Sequence, residues 1–142
     1  MLDLIIKNGL SYIDGKLQKQ DIGINKNKIS EIGSLDIKNS KEVIDAENLT
    51  VLPGCIDTQT HFREPGSTDT EDLHSGSRAA IVGGITSVFE MPNTNPPTST
   101  KTEFQRKLDL AKNRMYCNYA FYFGATADNA SELADLKNLE GC

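Results

Sequence analysis

Apolar and polar positions follow two regimes along the chain. In residues 1–50, short apolar runs at 4–6, 12–13, 22–24 and 29–32 are separated by Asn8-Gly9, Asp14-Gly15 and Asn25-Lys26-Asn27. Short runs divided by turn formers predict strands joined by tight hairpins, a β meander in which Gly9, Gly15 and Asn27 supply positive φ. From Leu52 the period lengthens. Strands over 51–62, 85–91 and 117–124 alternate with helices over 73–82, 101–114 and 130–138. In the second helix Phe104, Leu108 and Ala111 recur at i, i+4 and i+7, opposite Lys101, Gln105, Lys112 and Asn113. Such a stripe packs on a sheet.

Strand and helix in strict alternation imply parallel strands joined by right-handed crossovers. The expected architecture is therefore α/β: a small β-rich domain over 1–50 and a parallel βα domain over 51–142. An open parallel sheet of so few strands leaves two unpaired edges, so a completing chain or self-association as a homo-oligomer is expected.

Composition excludes several classes of function. With 37% hydrophobic and 25% charged residues the chain reads as globular rather than disordered. A net charge of −5 and a pI near 5.0 leave no basic face for nucleic acid. No apolar run approaches the roughly 20 residues that span a bilayer, and residues 1–9 lack a leader pattern, so the expected location is cytoplasmic, with no membrane partner. Cys55, Cys117 and Cys142 are odd in number and lack Cys-x-x-Cys spacing, which suggests neither a disulfide framework nor a thiolate zinc site. Cys55 and Cys117 are expected as buried thiols in strands.

Candidate chemistry concentrates in residues 58–66, Thr-Gln-Thr-His-Phe-Arg-Glu-Pro-Gly. Strand alternation from Asp57 puts Asp57, Gln59, His61 and Arg63 on one face. A neutral imidazole is a good zinc ligand, and a guanidinium fork suits two-pronged capture of a carboxylate. The residues alone also admit plainer roles. His61 can hydrogen-bond Asp57 or a main-chain carbonyl, Arg63 can pair with Glu64 or Asp69, and Asn93 can be a turn former before Asn95-Pro96-Pro97. Asp57 is expected to orient neighbouring groups or to close a strand-end hydrogen bond. His74 reads as a solvated surface residue. Glu64, Asp69, Glu71 and Asp72 form an acidic loop suited to capping the helix that follows.

This stretch resembles the dihydroorotases and related cyclic amidohydrolases, whose first barrel strand ends in Asp-x-His-x-His-x-Arg-Glu-Pro-Gly. Residues 83–98, Gly-Gly-Ile-Thr-Ser-Val-Phe-Glu-Met-Pro-Asn-Thr-Asn-Pro-Pro-Thr, are similar to the family's second strand and the Met-Pro-Asn-Thr turn after it. The resemblance implies the first three βα units of an incomplete (β/α)8 TIM barrel, preceded by part of a β-sandwich-like domain. A full barrel takes about 250 residues, so the chain is expected to be a truncated member.

The activity implied is reversible opening of a cyclic amide, dihydroorotate to N-carbamoyl-L-aspartate, in pyrimidine biosynthesis, with zinc as the family's metal. By the same resemblance Arg63 and Asn93 hold the substrate carboxylate and His61 is a metal ligand. Gln59 stands where the family has its other imidazole, and an amide oxygen is a donor zinc rarely accepts. The remaining ligands and the general base come from later strands. No catalytic residue is therefore expected in this chain, zinc is not expected to be held tightly, and the isolated chain is expected to be inactive. The family also includes metal-free members that brace aspartate transcarbamoylase, the alternative reading. Allantoinase shares the Arg-Glu-Pro-Gly turn, and dihydropyrimidinase is a further rival.

Overall fold

The computed structural model describes residues 1–142, apart from the side chain of Glu132. The chain packs as two units, Met1–Pro53 and Gly54–Cys142. The expected boundary at 50/51 falls inside a strand of the first unit.

The first unit contains β1 (Leu2–Lys7), β2 (Leu10–Ile13), β3 (Lys16–Lys19), β4 (Asp21–Asn25), β5 (Lys28–Gly33), β6 (Ser40–Asp45) and β7 (Thr50–Val51). The hairpins β2–β3 and β4–β5 form, with Asp14 and Gly15, then Lys26 and Asn27, at positive φ in their turns. A simple meander is not what results. The sheets run β5-β4-β1-β6 and β3-β2-β7, and both β1–β6 and β2–β7 are parallel pairs. The reason is that β1 has two edges to satisfy, and its buried Leu2 and Ile5 lie between β4 on one side and β6 on the other. Asp21 fixes the crossing by accepting from the main-chain N–H of Asn8 at 3.0 Å, from that of Leu35 at 3.0 Å and from Lys7 Nζ at 3.1 Å. Gly9 does not take the left-handed turn conformation; Asn8 does, at φ 65°. Gly9 is needed for close approach, since a Cβ there would run into Val51 and Ala46.

The second unit is a parallel sheet in the order β10-β9-β8, from β8 (Cys55–Thr60), β9 (Ile85–Glu90) and β10 (Asn118–Phe121), with helices α1 (Leu73–Val82) and α2 (Lys101–Ala111) in the crossovers. The first strand begins at Cys55, not at 51, because Val51 pairs with Ser11 in the first unit. Helix α2 stops at Ala111, short of 114, because Asn113 turns to φ 60°. Asn is among the few side chains that tolerate that conformation. The segment expected as a third helix is a 3-10 helix, Ala130–Asn138.

The core of this unit joins Leu73 of α1, Phe104 and Ala111 of α2, Val88 and Phe121 of the sheet, and Phe62 and Cys117. Phe104 is fully buried edge-on to Phe121. Burying each such side chain contributes about 1.5–3 kcal/mol. Cys117 is buried as expected, but Cys55 is exposed, because β8 is an edge strand and its neighbour Ile56 is 61% exposed.

Candidate functional site

Strands β8 and β9 end side by side, and the Met91 N–H donates to Thr60 O at 2.9 Å just past them. Between Asp57 and Thr60 the ladder carries an irregularity: Asp57 faces Val88 and Thr60 faces Glu90, so β8 holds one residue more than β9. A bulge re-aims the side chains that follow it. The strict alternation expected to put Asp57, Gln59, His61 and Arg63 on one face is therefore interrupted. Asp57 accepts the main-chain N–H of Gln59 at 3.0 Å, a local closure of the strand end, and does not reach His61.

His61 instead meets Asn93 across the two strand ends, Nδ1 to Oδ1 at 2.9 Å. An amide oxygen can only accept, so in this contact Nδ1 is the donor. The turns after the strands are joined as well. The Asn95 N–H donates to Pro65 O at 2.9 Å, and Gly66, at φ 125°, lies against Asn95 so closely that a Cβ would strike it. Arg63 sits at φ 63°, exposed. Among the described residues its guanidinium has no ion-pair partner, and neither Glu64 nor Asp69 takes that place.

Glu64 belongs elsewhere. It receives Arg114 with both nitrogens, Nη1 to Oε1 at 2.8 Å and Nη2 to Oε2 at 3.1 Å, and its Oε2 accepts the Leu73 N–H at 2.9 Å. Asp72 completes the start of α1 by accepting the Ser75 N–H at 2.6 Å. The acidic loop thus caps α1 through these two residues. His74 lies on the exposed side of α1, its Nε2 3.2 Å from the Tyr116 hydroxyl.

Sequence reasoning missed one further pair. Glu90, the last residue of β9, and Lys107 of α2 form an ion pair with side chains 1% and 0% exposed. Lys107 also donates to Met91 O at 3.0 Å and stands over the Phe121 ring. Apart from the ammonium, Glu90 Oε2 has no hydrogen-bond partner among the described residues. Loss of water pushes Glu90 up and Lys107 down, each toward its neutral form; their attraction opposes this, as does the Phe62 N–H for Glu90. The signal was present: Lys107 is i+3 from Phe104 and i+4 before Ala111, inside the apolar stripe, and Glu90 ends an apolar strand.

Among the described residues no three His, Cys, Asp or Glu side chains converge as metal donors. One imidazole held by the neutral amide of Asn93 does not fit a zinc centre, which takes nitrogen, sulfur or carboxylate donors in fours.

The pattern of the Amidohydrolase family matches residues 50–140. The chain belongs to that family. Of its curated amidohydrolase relatives, a dihydroorotase of Methanosarcina mazei is 40% identical over 140 residues, covering 98% of this chain and 30% of that protein. An allantoinase of Escherichia coli (strain K12 / DH10B) is 39% identical over 135 residues, covering 94% and 30%. Among solved amidohydrolase structures, the L-hydantoinase (dihydropyrimidinase) from Arthrobacter aurescens superposes with a TM-score of 0.86 at 30% identity, over 96% of this chain and 31% of that one. The chain therefore spans about a third of the length of the amidohydrolases it matches, and its sheet of parallel βα units corresponds to an N-terminal portion of that fold.

Proposed function

We propose that this chain is the N-terminal portion of a dihydroorotase-like cyclic amidohydrolase of pyrimidine biosynthesis, acting in the cytoplasm, and that it carries the carboxylate-binding part of the substrate site. The observation that carries the reading is the contact of His61 Nδ1 with Asn93 Oδ1 at 2.9 Å, with Arg63, which has no ion-pair partner among the described residues, two positions after His61 in the exposed turn. A planar guanidinium presents two parallel N–H donors to a carboxylate, and the Asn93 amide adds a donor through its Nδ2. The dihydroorotase relative supports the substrate class, dihydroorotate and N-carbamoyl-L-aspartate.

Hydrolysis asks for more than this. Attack on a cyclic amide needs an activated water, stabilisation of the developing oxyanion and a proton for the leaving nitrogen. Metal chemistry supplies the first two in the family, but the donors on this chain do not make a metal site, so the chain alone binds without turning over and holds zinc weakly. The test is an assay of purified chain with dihydroorotate, with and without added zinc: no turnover is expected. Turnover abolished by Arg63→Ala would overturn the reading.

A second reading has its own support in Gln59, which replaces a ligand as a metal-free brace of aspartate transcarbamoylase would. It is tested by co-purification: a stable complex with the transcarbamoylase favours it, and a chain that elutes apart from it does not. Allantoin tested beside dihydroorotate in the binding assay distinguishes the allantoinase alternative.

A further inference from the structure

The Glu90–Lys107 pair is placed to do more than satisfy itself. It bonds the end of β9 directly, and the end of β9 is bonded to that of β8. The Met91 N–H donates to Thr60 O at 2.9 Å, next in sequence to His61. Lys107 Nζ donates to Met91 O, two residues before Asn93. Asn93 is thus two residues from a group held by the pair, His61 is one residue from the main-chain partner of that group, and α2 is the rigid element that holds it: Thr100 caps its start by accepting the Glu103 N–H at 3.1 Å, and Phe104 and Ala111 flank Lys107 with no exposure.

Burying two charges is a poor way to stabilise a core, because apolar residues of similar volume usually do as well or better. A buried pair is better explained where it fixes a geometry that packing alone leaves loose. Here the geometry is the placement of the Met91 peptide, whose N–H bonds the end of β8 and whose carbonyl bonds Lys107. The bulge in β8 interrupts the regular ladder between Asp57 and Thr60, just before that bond.

We propose that Glu90 and Lys107 are positioning residues that set the hydrogen bond between His61 and Asn93. The inference rests on the reading of that contact as part of a carboxylate site only for its functional meaning; the structural claim stands by itself.

The chain has two histidines, so the test can be read from side-chain nitrogen NMR on the 142-residue chain. In the wild type His61 is expected to show the form protonated at Nδ1 that the contact with Asn93 requires, and His74 reports independently on the fold of α1 through its contact with Tyr116. Lys107→Met removes the donor to Met91 O. The double variant Glu90→Gln with Lys107→Met removes both buried charges together, leaves neutral groups of similar size and keeps the fold. Both variants are expected to lose the His61 Nδ1–H preference, exchanging between tautomers, while His74 is unchanged. Retention of the wild-type His61 signature in the double variant would overturn the proposal. Loss of both histidine signatures would also overturn it, by assigning the pair to the fold alone.

Titration with N-carbamoyl-L-aspartate separates this from the functional reading. Weakening by about tenfold in the double variant is expected, the order of one charge-assisted hydrogen bond. A wild type that binds no carboxylate, with the His61 signature still dependent on Lys107, leaves the positioning role standing and defeats the carboxylate site.

Discussion

Glu64 and Arg114 lie fifty residues apart in sequence and meet in a two-pronged ion pair, at 2.8 Å and 3.1 Å, that ties the turn after β8 to the end of α2. Arg114 Nη1 also donates to Leu110 O at 3.0 Å, so the guanidinium is held by the last turn of α2, just before it in the chain, as it grips the turn. Because Glu64 also caps α1 at Leu73, one carboxylate joins both helices to the segment that carries Arg63.

Breaking that junction is therefore expected to loosen all three. Arg114→Met strands a nearly buried carboxylate and is expected to cost about 2–3 kcal/mol, the usual penalty for removing one partner of a hydrogen-bonded charge pair with limited exposure. Glu64→Gln, which keeps an acceptor for Leu73, is expected to cost less. The check is urea denaturation of each variant together with hydrogen exchange at the Leu73 amide, which should accelerate more in Arg114→Met.

Acid should act on the start of α1. Ser75, through its main-chain N–H and its side chain, and then Arg114 hold the Asp72 carboxyl below its ordinary value of 3.8. A depressed folded-state pKa favours the charged form. The stabilisation from this cap is thus present above the unfolded value and is lost as pH falls through the folded one. In Asp72→Asn this acid dependence should flatten, while Asp72→Ala should lose about 1 kcal/mol at neutral pH, as N-cap truncations do. Stability measured from pH 7 down to about 2, across the usual carboxylate range, shows whether the wild-type curve bends where the variant's does not.

Gly76 provides a test of packing against propensity. In an exposed helix Gly→Ala gains about 1 kcal/mol. Here an added Cβ would collide with the Phe62 ring, so Gly76→Ala is expected to destabilise by about 1–3 kcal/mol, as overpacked cores do. A rise in thermal midpoint would mean that the Phe62 ring yields.

Gln59 gives the metal prediction. Gln59→His supplies a second imidazole near His61, and zinc affinity measured by competition with a chelator should rise by about tenfold or more. Unchanged affinity would mean that the bulge at 57–60 turns position 59 away from His61.

Much of the fold was legible because local and tertiary signals agreed. The acidic residues before Leu73 and the spacing of Phe104, Leu108 and Ala111 gave both helices, α1 to the residue. The alternation of strand and helix gave the parallel sheet. Where the reading failed, the deciding interaction was distant in sequence. Val51 belongs to β7 because Ser11 pairs with it, and β1 takes β6 as a parallel neighbour across more than thirty residues. Neither is encoded in a local period. The positions of His61, Arg63 and Asn93 just past the ends of two adjacent strands were legible, but the partner of His61 was not, because a one-residue bulge decides which side chains face each other. Lys107 was overlooked because a lysine on a helix is usually read as solvated. Its position within the apolar stripe argued otherwise.

In the proposed function the ends of β8 and β9 form a carboxylate site built from Arg63 and Asn93. Its most direct test is an NMR titration of the full chain with N-carbamoyl-L-aspartate. Saturable shifts at the main-chain amides of Arg63 and Asn93 and at the His61 ring, absent in Arg63→Ala and leaving His74 unmoved, are the predicted result. Shifts that are missing at those positions, or that persist in Arg63→Ala, would contradict it.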